Sequence, residues 1–156
     1  MPARILIADD HEVVREGLVS LLAKSRPDWQ VCGEATNGEQ AIQTTHQLRP
    51  DLVVMDITMP GINGLEASSR LRKLGMSCPI LIFTMHDSER LVADVRRSGA
   101  QGYVLKSQAG RDLVRAIDTL LGGGTFFGAP PQPGPDGGNE PNRGPMFSLG
   151  PTAGTI

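Results

Sequence analysis

The stretch that decides the fold spans residues 52–61 and reads Leu52-Val53-Val54-Met55-Asp56-Ile57-Thr58-Met59-Pro60-Gly61. Its first four residues are apolar without a break, which is typical of a strand that a parallel sheet buries on both faces. The run ends in a carboxylate, and a charge beside a buried strand costs desolvation free energy unless a partner compensates for it. The stretch therefore predicts a buried strand with a partnered aspartate at its carboxyl end.

Similar strand-like runs alternate with helical patterns on both sides of this stretch. The predicted strands cover residues 4–8, 30–34, 52–55, 79–83 and 102–105. Of the five helices between and after them, the fourth is predicted over residues 88–98. The fifth has the clearest apolar stripe, formed by Leu113, Val114, Ile117, Leu120 and Leu121. Alternating strands and helices predict an α/β fold with a parallel sheet covered on both faces.

Local signals mark where two of these helices begin and end. Asn37 and Asn63 are each followed three residues later by Gln or Glu, which resembles a capping box. The second helix must end by Arg49, because Pro50 disfavours α geometry at the residue before it. Gly75 is expected to end the third helix.

The composition changes sharply near residue 122. Residues 122–156 contain ten Gly and seven Pro, so this segment is predicted to be a disordered tail that follows a single domain over residues 1–121. Phe126 and Phe127 lie near the start of the tail and are expected to dock on the domain or terminate it.

Charge and apolar patterning exclude several classes of protein. A formal net charge of −2 argues against a non-specific nucleic-acid or membrane surface, and the apolar runs are too short to span a bilayer. The N-terminus lacks the pattern of a signal peptide. Cys32 and Cys78 have no partners at metal-ligand spacing, so they are interpreted as reduced, buried thiols of a cytoplasmic protein.

Polar residues follow each strong strand at the point where it ends. These residues are Asp9, Asp10, Asp56, Thr84 and Lys106. Each has a structural explanation by itself, as a helix cap, a partner of a backbone group or a solvated charge. Because parallel strands end at the same edge of a sheet, where ligands bind in open α/β folds, all five are expected to meet in one pocket.

Three carboxylates in one pocket repel one another unless a cation lies among them. Oxygen ligands favour a hard divalent ion such as Mg²⁺, and Mg²⁺ with Lys106 would neutralise the three negative charges. Such a pocket can receive a phosphoryl group. Asp56 is the natural nucleophile, forming an aspartyl phosphate, with Thr84 and Lys106 contacting the phosphoryl oxygens.

Four ordered motifs carry a resemblance to a known family: DD at 9–10, LVVMDITMPGINGLE at 52–66, FTMHD at 83–87 and GAQGYVLKS at 99–107. Together they resemble the receiver domain of bacterial two-component response regulators, and the details are similar to the NarL/FixJ (LuxR-like) branch. The resemblance covers residues 3–121. It implies a flavodoxin-like (βα)5 fold with a five-stranded parallel sheet in the order 2-1-3-4-5.

The resemblance also implies roles for individual residues. Asp56 would be the phosphoacceptor, and Lys106 the cation that senses the phosphate. The switch residues would be Thr84 and Tyr103, although Tyr103 can equally be a surface aromatic on an edge strand. The Mg²⁺ ligands would be Asp9, Asp10, Asp56 and the Thr58 backbone carbonyl.

Three features depart from the family pattern. Met85 stands where receivers often have a small residue, and it is expected to narrow access to the aspartyl phosphate. Ser107 stands where many receivers have proline, and this difference has little influence on the assignment. Regulators of this branch usually carry a helix-turn-helix, whereas the tail here has one basic residue, Arg143, so direct DNA binding by this chain is not expected.

The three histidines are given no ligand role. His11 and His86 are expected to line the mouth of the pocket without binding the metal, because Mg²⁺ prefers oxygen. His46 lies on the second helix.

The leading hypothesis is a phosphorylation switch rather than an enzyme. A sensor histidine kinase or a histidine phosphotransfer protein would phosphorylate Asp56. The output would be protein–protein, either through a homodimer or by passing the phosphoryl group along a relay. One alternative is a haloacid-dehalogenase-like phosphatase, since Asp56-Ile57-Thr58 resembles its nucleophile motif, but the order of motifs argues against it. Another is a flavodoxin-like nucleotide binder, which needs a Gly/Ser/Thr-rich phosphate loop after the first strand, whereas the segment here is acidic and would repel phosphate. The last is a receiver-fold binding module that cannot be phosphorylated.

Overall fold

The structure is a computed structural model that describes residues 2–127. Its strands are Arg4–Ala8 (β1), Gln30–Ala35 (β2), Leu52–Asp56 (β3), Ile80–Thr84 (β4), Gly102–Leu105 (β5) and Phe126–Phe127 (β6). Its helices are Glu12–Ser25 (α1), Gly38–Leu48 (α2), Gly64–Lys73 (α3), Leu91–Arg97 (α4) and Ala109–Leu121 (α5), and one 3₁₀ turn covers Lys106–Gln108. None of these helices is long and apolar enough to cross a membrane.

The strands form one parallel sheet in the order β2-β1-β3-β4-β5-β6. The predicted α/β class and the order of the first five strands are confirmed, with β2 at one edge. The predicted number of strands is wrong. Phe126–Phe127 adds a sixth strand beside β5, inside the segment that the composition assigned to a disordered tail.

Each face of the sheet packs against its own group of helices. On one face, apolar side chains of α2, α3 and α4 contact the strands, among them Ala41, Leu71 and Val95. On the other face, α1 and α5 do the same through residues such as Leu22 and Ile117. The β3 residues 52–56 are fully buried between the two groups, which is why residues 52–55 are all apolar and only Asp56, at the end of the strand, is charged.

The predicted helix boundaries of α2 and α3 are confirmed. The side chains of Asn37 and Asn63 accept hydrogen bonds from the backbone N–H three residues later, both at 2.8 Å. Arg49 follows α2 in a left-handed conformation, with φ 49°, and Gly75 after α3 has φ 83°. Helix α4 is shorter than predicted, because the chain forms a turn in which Leu91 N–H donates to the Ser88 carbonyl before the helix begins.

The remaining predictions on the tail fall partly outside the described residues. Within them, Phe126 and Phe127 do dock on the domain, as expected. Residues 128–156 lie outside the described part of the chain, so their predicted disorder stays a prediction. Cys32 and Cys78 are free and half-buried.

Candidate functional site

The side chains of Asp9, Asp56 and Lys106 meet at the carboxyl edge of the sheet. Lys106 Nζ lies 2.8 Å from Asp9 Oδ2 and 3.4 Å from Asp56 Oδ1. Asp9 and Asp56 are 1% and 3% exposed, and the Lys106 side chain is only 12% exposed. Lys106 is therefore not a solvated charge, and it compensates for two buried carboxylates.

Asp10 and His11 extend this cluster toward the solvent. One potential ligand atom from each of Asp9, Asp10, His11 and Asp56 lies within 4.8 Å of all the others. His11 Nδ1 is 3.2 Å from an oxygen of both Asp9 and Asp10. His11, not Asp10, is the residue before α1, and no side chain caps that helix. The His11 side chain is 59% exposed, so it contacts the acids from the solvent side of the cluster, and its predicted position at the pocket mouth stays a prediction.

The surroundings of Asp56 disfavour the ionised form of its carboxyl group. Burial, followed by the nearby Asp9 carboxylate, raises the pKa of Asp56, while Lys106 acts in the opposite direction. Asp56 Oδ1 also accepts a hydrogen bond from Thr58 N–H at 3.3 Å. Its other oxygen, Oδ2, is buried and has no hydrogen-bond partner among the described residues. A buried carboxylate oxygen without a donor needs a positive partner.

These observations fit a bound divalent cation. Three carboxylates lie within ligand distance of one another, and within residues 2–127 one ammonium group, that of Lys106, contacts two of them. Hard oxygen donors of this kind are the ligands of Mg²⁺ or Ca²⁺. The residues that can hold the ion are Asp9, Asp10 and Asp56, while the ligand role of the exposed Thr58, through its carbonyl, stays a prediction.

Two residues that position the acids were not singled out in the sequence. Arg15 on α1 donates from its guanidinium to the Asp9 carbonyl at 2.6 Å and to Glu34 Oε1 at 2.8 Å, which fixes the backbone of the acidic pair. Gly64 begins α3 directly against β3, where an added Cβ would lie 2.0 Å from the Asp56 carbonyl oxygen. The two Arg15 contacts join residues 6 and 19 positions apart, and no repeating pattern or motif in the sequence indicates them. Gly64 could have been found, because it directly follows the predicted cap residue Asn63.

The loop between Asp56 and α3 contains a proline and a glycine that restrict its backbone. Gly61 has φ 80°, which a residue with a side chain rarely adopts, and it follows Pro60, whose φ is fixed. The loop closes where Gly64 N–H donates to the Ile57 carbonyl at 2.8 Å. The chain beside Asp56 is therefore constrained on both sides of the turn.

Thr84 and Tyr103 lie on neighbouring strands. Thr84 is 3% exposed at the end of β4, and its Oγ1 accepts a hydrogen bond from His86 N–H at 3.3 Å. Tyr103 is 9% exposed, and burial, followed by the charge of Asp87, raises its pKa. Because β6 covers β5, Tyr103 is not a surface aromatic on an edge strand. Met85, next to Thr84, is 68% exposed.

The chain is similar to proteins of one family. The family model of the response regulator receiver domain matches residues 5–118. A curated relative, the nitrate/nitrite response regulator protein NarL of Escherichia coli, is 41% identical over 122 residues, which are 78% of this chain and 56% of NarL. The chain therefore spans little more than half the length of that relative.

Two solved structures have the same fold. A LuxR-family two-component response regulator from Aurantimonas is 39% identical with a TM-score of 0.77, covering 81% of this chain and 90% of that one. The receiver domain of the putative response regulator NarL from Mycobacterium tuberculosis is 30% identical with a TM-score of 0.74, covering 78% and 98%. The range that the family model matches includes positions 9, 10, 56 and 106, and the chain belongs to the response regulator receiver domain family.

Proposed function

We propose that Asp56 accepts a phosphoryl group from a phosphohistidine of a sensor histidine kinase or of a histidine phosphotransfer protein. The observation that carries this proposal is the buried Asp56 carboxylate, which lies 3.4 Å from Lys106 Nζ and close to the charge of Asp9. A carboxylate oxygen attacks phosphorus, the phosphorus–nitrogen bond breaks, and an aspartyl phosphate forms.

The residues around Asp56 would have separate roles in this transfer. Asp9, Asp10, Asp56 and the Thr58 carbonyl would hold Mg²⁺, which when bound neutralises charge on the transferring phosphoryl group. Lys106 is already placed between two of the acids and would pair with a phosphoryl oxygen. The hydroxyl group of Thr84 would donate a hydrogen bond to another phosphoryl oxygen.

The proposed output is a change of contacts and not catalytic turnover. The protein would take part in its own phosphorylation and autodephosphorylation, and the state of Asp56 would be transmitted through Thr84 and Tyr103 to the surface formed by α4, β5 and α5. A protein partner or a second copy would bind that surface. The net charge of −2 supports a protein partner and not DNA, and the two free cysteines support a cytoplasmic location.

Intact mass measured after incubation with acetyl phosphate tests the acceptor. Wild type should gain a single phosphoryl adduct when Mg²⁺ is present and none when it is chelated. Asp56→Ala should gain none, whereas Asp118→Ala, which removes an exposed aspartate of α5, should react as wild type does. Wild type without an adduct, or Asp56→Ala with one, would exclude Asp56 as the phosphoacceptor.

A further inference from the structure

The short strand β6 is held against β5 by its backbone. Gly102 pairs with Phe126, and Tyr103 pairs with Phe127. Phe126 N–H donates to the Gln101 carbonyl at 3.0 Å. A Cβ at position 102 would lie 2.2 Å from the Phe126 carbonyl oxygen. Only glycine at 102 therefore allows β6 to pack this closely, and the register of the pairing is fixed.

The two phenylalanines of β6 project to opposite faces of the sheet. Phe126 is 6% exposed and packs into the cluster that contains α5. Phe127 lies on the α4 side, where its ring is 6.4 Å from the Tyr103 ring at 62°. The Arg96 guanidinium carbon of α4 lies 3.9 Å from the centre of the Phe127 ring. Edge-to-face packing and the cation–π contact both stabilise this arrangement, so Tyr103 is covered by Phe127.

Tyr103 is also connected to the phosphoacceptor site. Ile82 pairs with Tyr103 and Thr84 with Leu105, and side chains two residues apart on a strand share a face. Thr84 and Tyr103 therefore project to the same face from adjacent strands. Under the proposed function, Thr84 would contact a phosphoryl group on Asp56, and a shift of its side chain toward that group would leave space beside the Tyr103 ring on the shared face.

We propose that β6 is part of the switch, with Phe127 and Arg96 as positioning residues that hold Tyr103 in its buried position. This inference rests on the proposed function. The state of Asp56 and the docking of β6 are two equilibria that share the Tyr103 ring, so each must bias the other by the same factor. Phosphorylation tightens β6 on the sheet, and the chain that continues after Phe127 receives the signal through this strand.

The test uses beryllofluoride with Mg²⁺, a stable mimic of the phosphoryl group, on the full chain. In wild type, hydrogen exchange at the Phe126 amide should slow about fivefold to tenfold when beryllofluoride binds, which is within the usual range of coupling between sites. By reciprocity, Phe127→Ala should weaken beryllofluoride binding by a similar factor. The affinity for Mg²⁺ alone, measured by calorimetry, should not change, because Phe127 contacts Tyr103 and not the acids.

Matched variants separate this coupling from a loss of stability. Gly102→Ala blocks the approach of β6 while keeping Phe127, so it should weaken beryllofluoride binding as Phe127→Ala does. Arg96→Gln should have a smaller effect in the same direction, and Arg97→Gln, which changes the exposed neighbour, should have none. Equal beryllofluoride affinity in wild type and Phe127→Ala, or unchanged Phe126 exchange in wild type, would overturn the inference. Wild type that binds no beryllofluoride would instead overturn the proposed function, and the inference with it.

Discussion

The Asp56→Asn substitution tests the electrostatics of the acidic edge without any phosphodonor. It removes a charge from a side chain that is 3% exposed while keeping its size. Burial and Asp9 raise the pKa of Asp56, which means that folding disfavours the charged carboxylate. Lys106 still compensates for Asp9 at 2.8 Å in the variant. We therefore expect Asp56→Asn to be more stable than wild type at pH 7 in the absence of divalent cations.

The size of this gain follows from the contacts of the two carboxylate oxygens. Oδ2 is buried without a hydrogen-bond partner among residues 2–127, a condition that costs about 1–3 kcal/mol. The 3.4 Å contact between Oδ1 and Lys106 loses its charge–charge attraction, which offsets part of the gain. A net gain of about 1–2 kcal/mol corresponds to a rise in Tm of about 4–8 °C for a domain of this size.

The stability difference between Asp56→Asn and wild type should depend on pH, and the raised pKa of Asp56 determines the direction of that dependence. In wild type, the stability linked to protonated Asp56 is complete below the ordinary value of 3.8 and is lost as pH rises through the higher pKa of the folded state. Asparagine at this position does not bind or release a proton, so its contribution to stability does not change with pH. The advantage of the variant should therefore be full above the folded pKa and should shrink as pH falls toward 3.8.

Urea unfolding followed by circular dichroism, with chelator present, measures these differences. Asp118→Asn is the control, because that carboxylate is 63% exposed and its loss should change stability by less than about 0.5 kcal/mol. Mg²⁺ at 100 times its Kd should then stabilise wild type by about 2.7 kcal/mol and Asp56→Asn by much less. An Asp56→Asn variant that is less stable than wild type at pH 7 without metal would refute the reasoning.

Three further predictions concern single side chains. Lys106→Met should lower the free energy of unfolding by about 3–5 kcal/mol at pH 7, because it leaves two buried carboxylates without their cation. Urea unfolding should show a smaller loss at pH 4 than at pH 7, and an equal loss at both pH values would contradict this explanation. Met85→Ala should shorten the lifetime of the aspartyl phosphate, measured as decay of the adduct mass, if the thioether shields Asp56 from water; equal lifetimes would remove that role. Asn63→Ala should cost about 1 kcal/mol, because it deletes the cap of α3, and an unchanged Tm would show that the cap contributes nothing.

Much of the fold could be predicted because its signals are local. The apolar run at 52–55, the caps at Asn37 and Asn63, and the break at Pro50 each act within a few residues. The convergence of polar residues at one edge followed from the geometry of parallel strands. Helix α4 was predicted too long, because residues 88–90 have a polar helical composition but form a turn.

The sequence by itself determined the alternation of strands and helices, the parallel sheet and the set of polar residues at its carboxyl edge. These features depend on the hydrophobic period and on the residues at strand ends, which can be recognised from residues that are close in the chain. Only the tertiary structure decided that Arg15 holds the Asp9 backbone, that His11 lies among the acids and that Phe126–Phe127 forms a sixth strand. A two-residue strand has no period to detect, and the glycines and prolines around it favour irregular chain. It forms because β5 offers an open edge, Gly102 allows close approach, and Tyr103 and Arg96 provide partners for one of its rings, all of which are distant in the sequence.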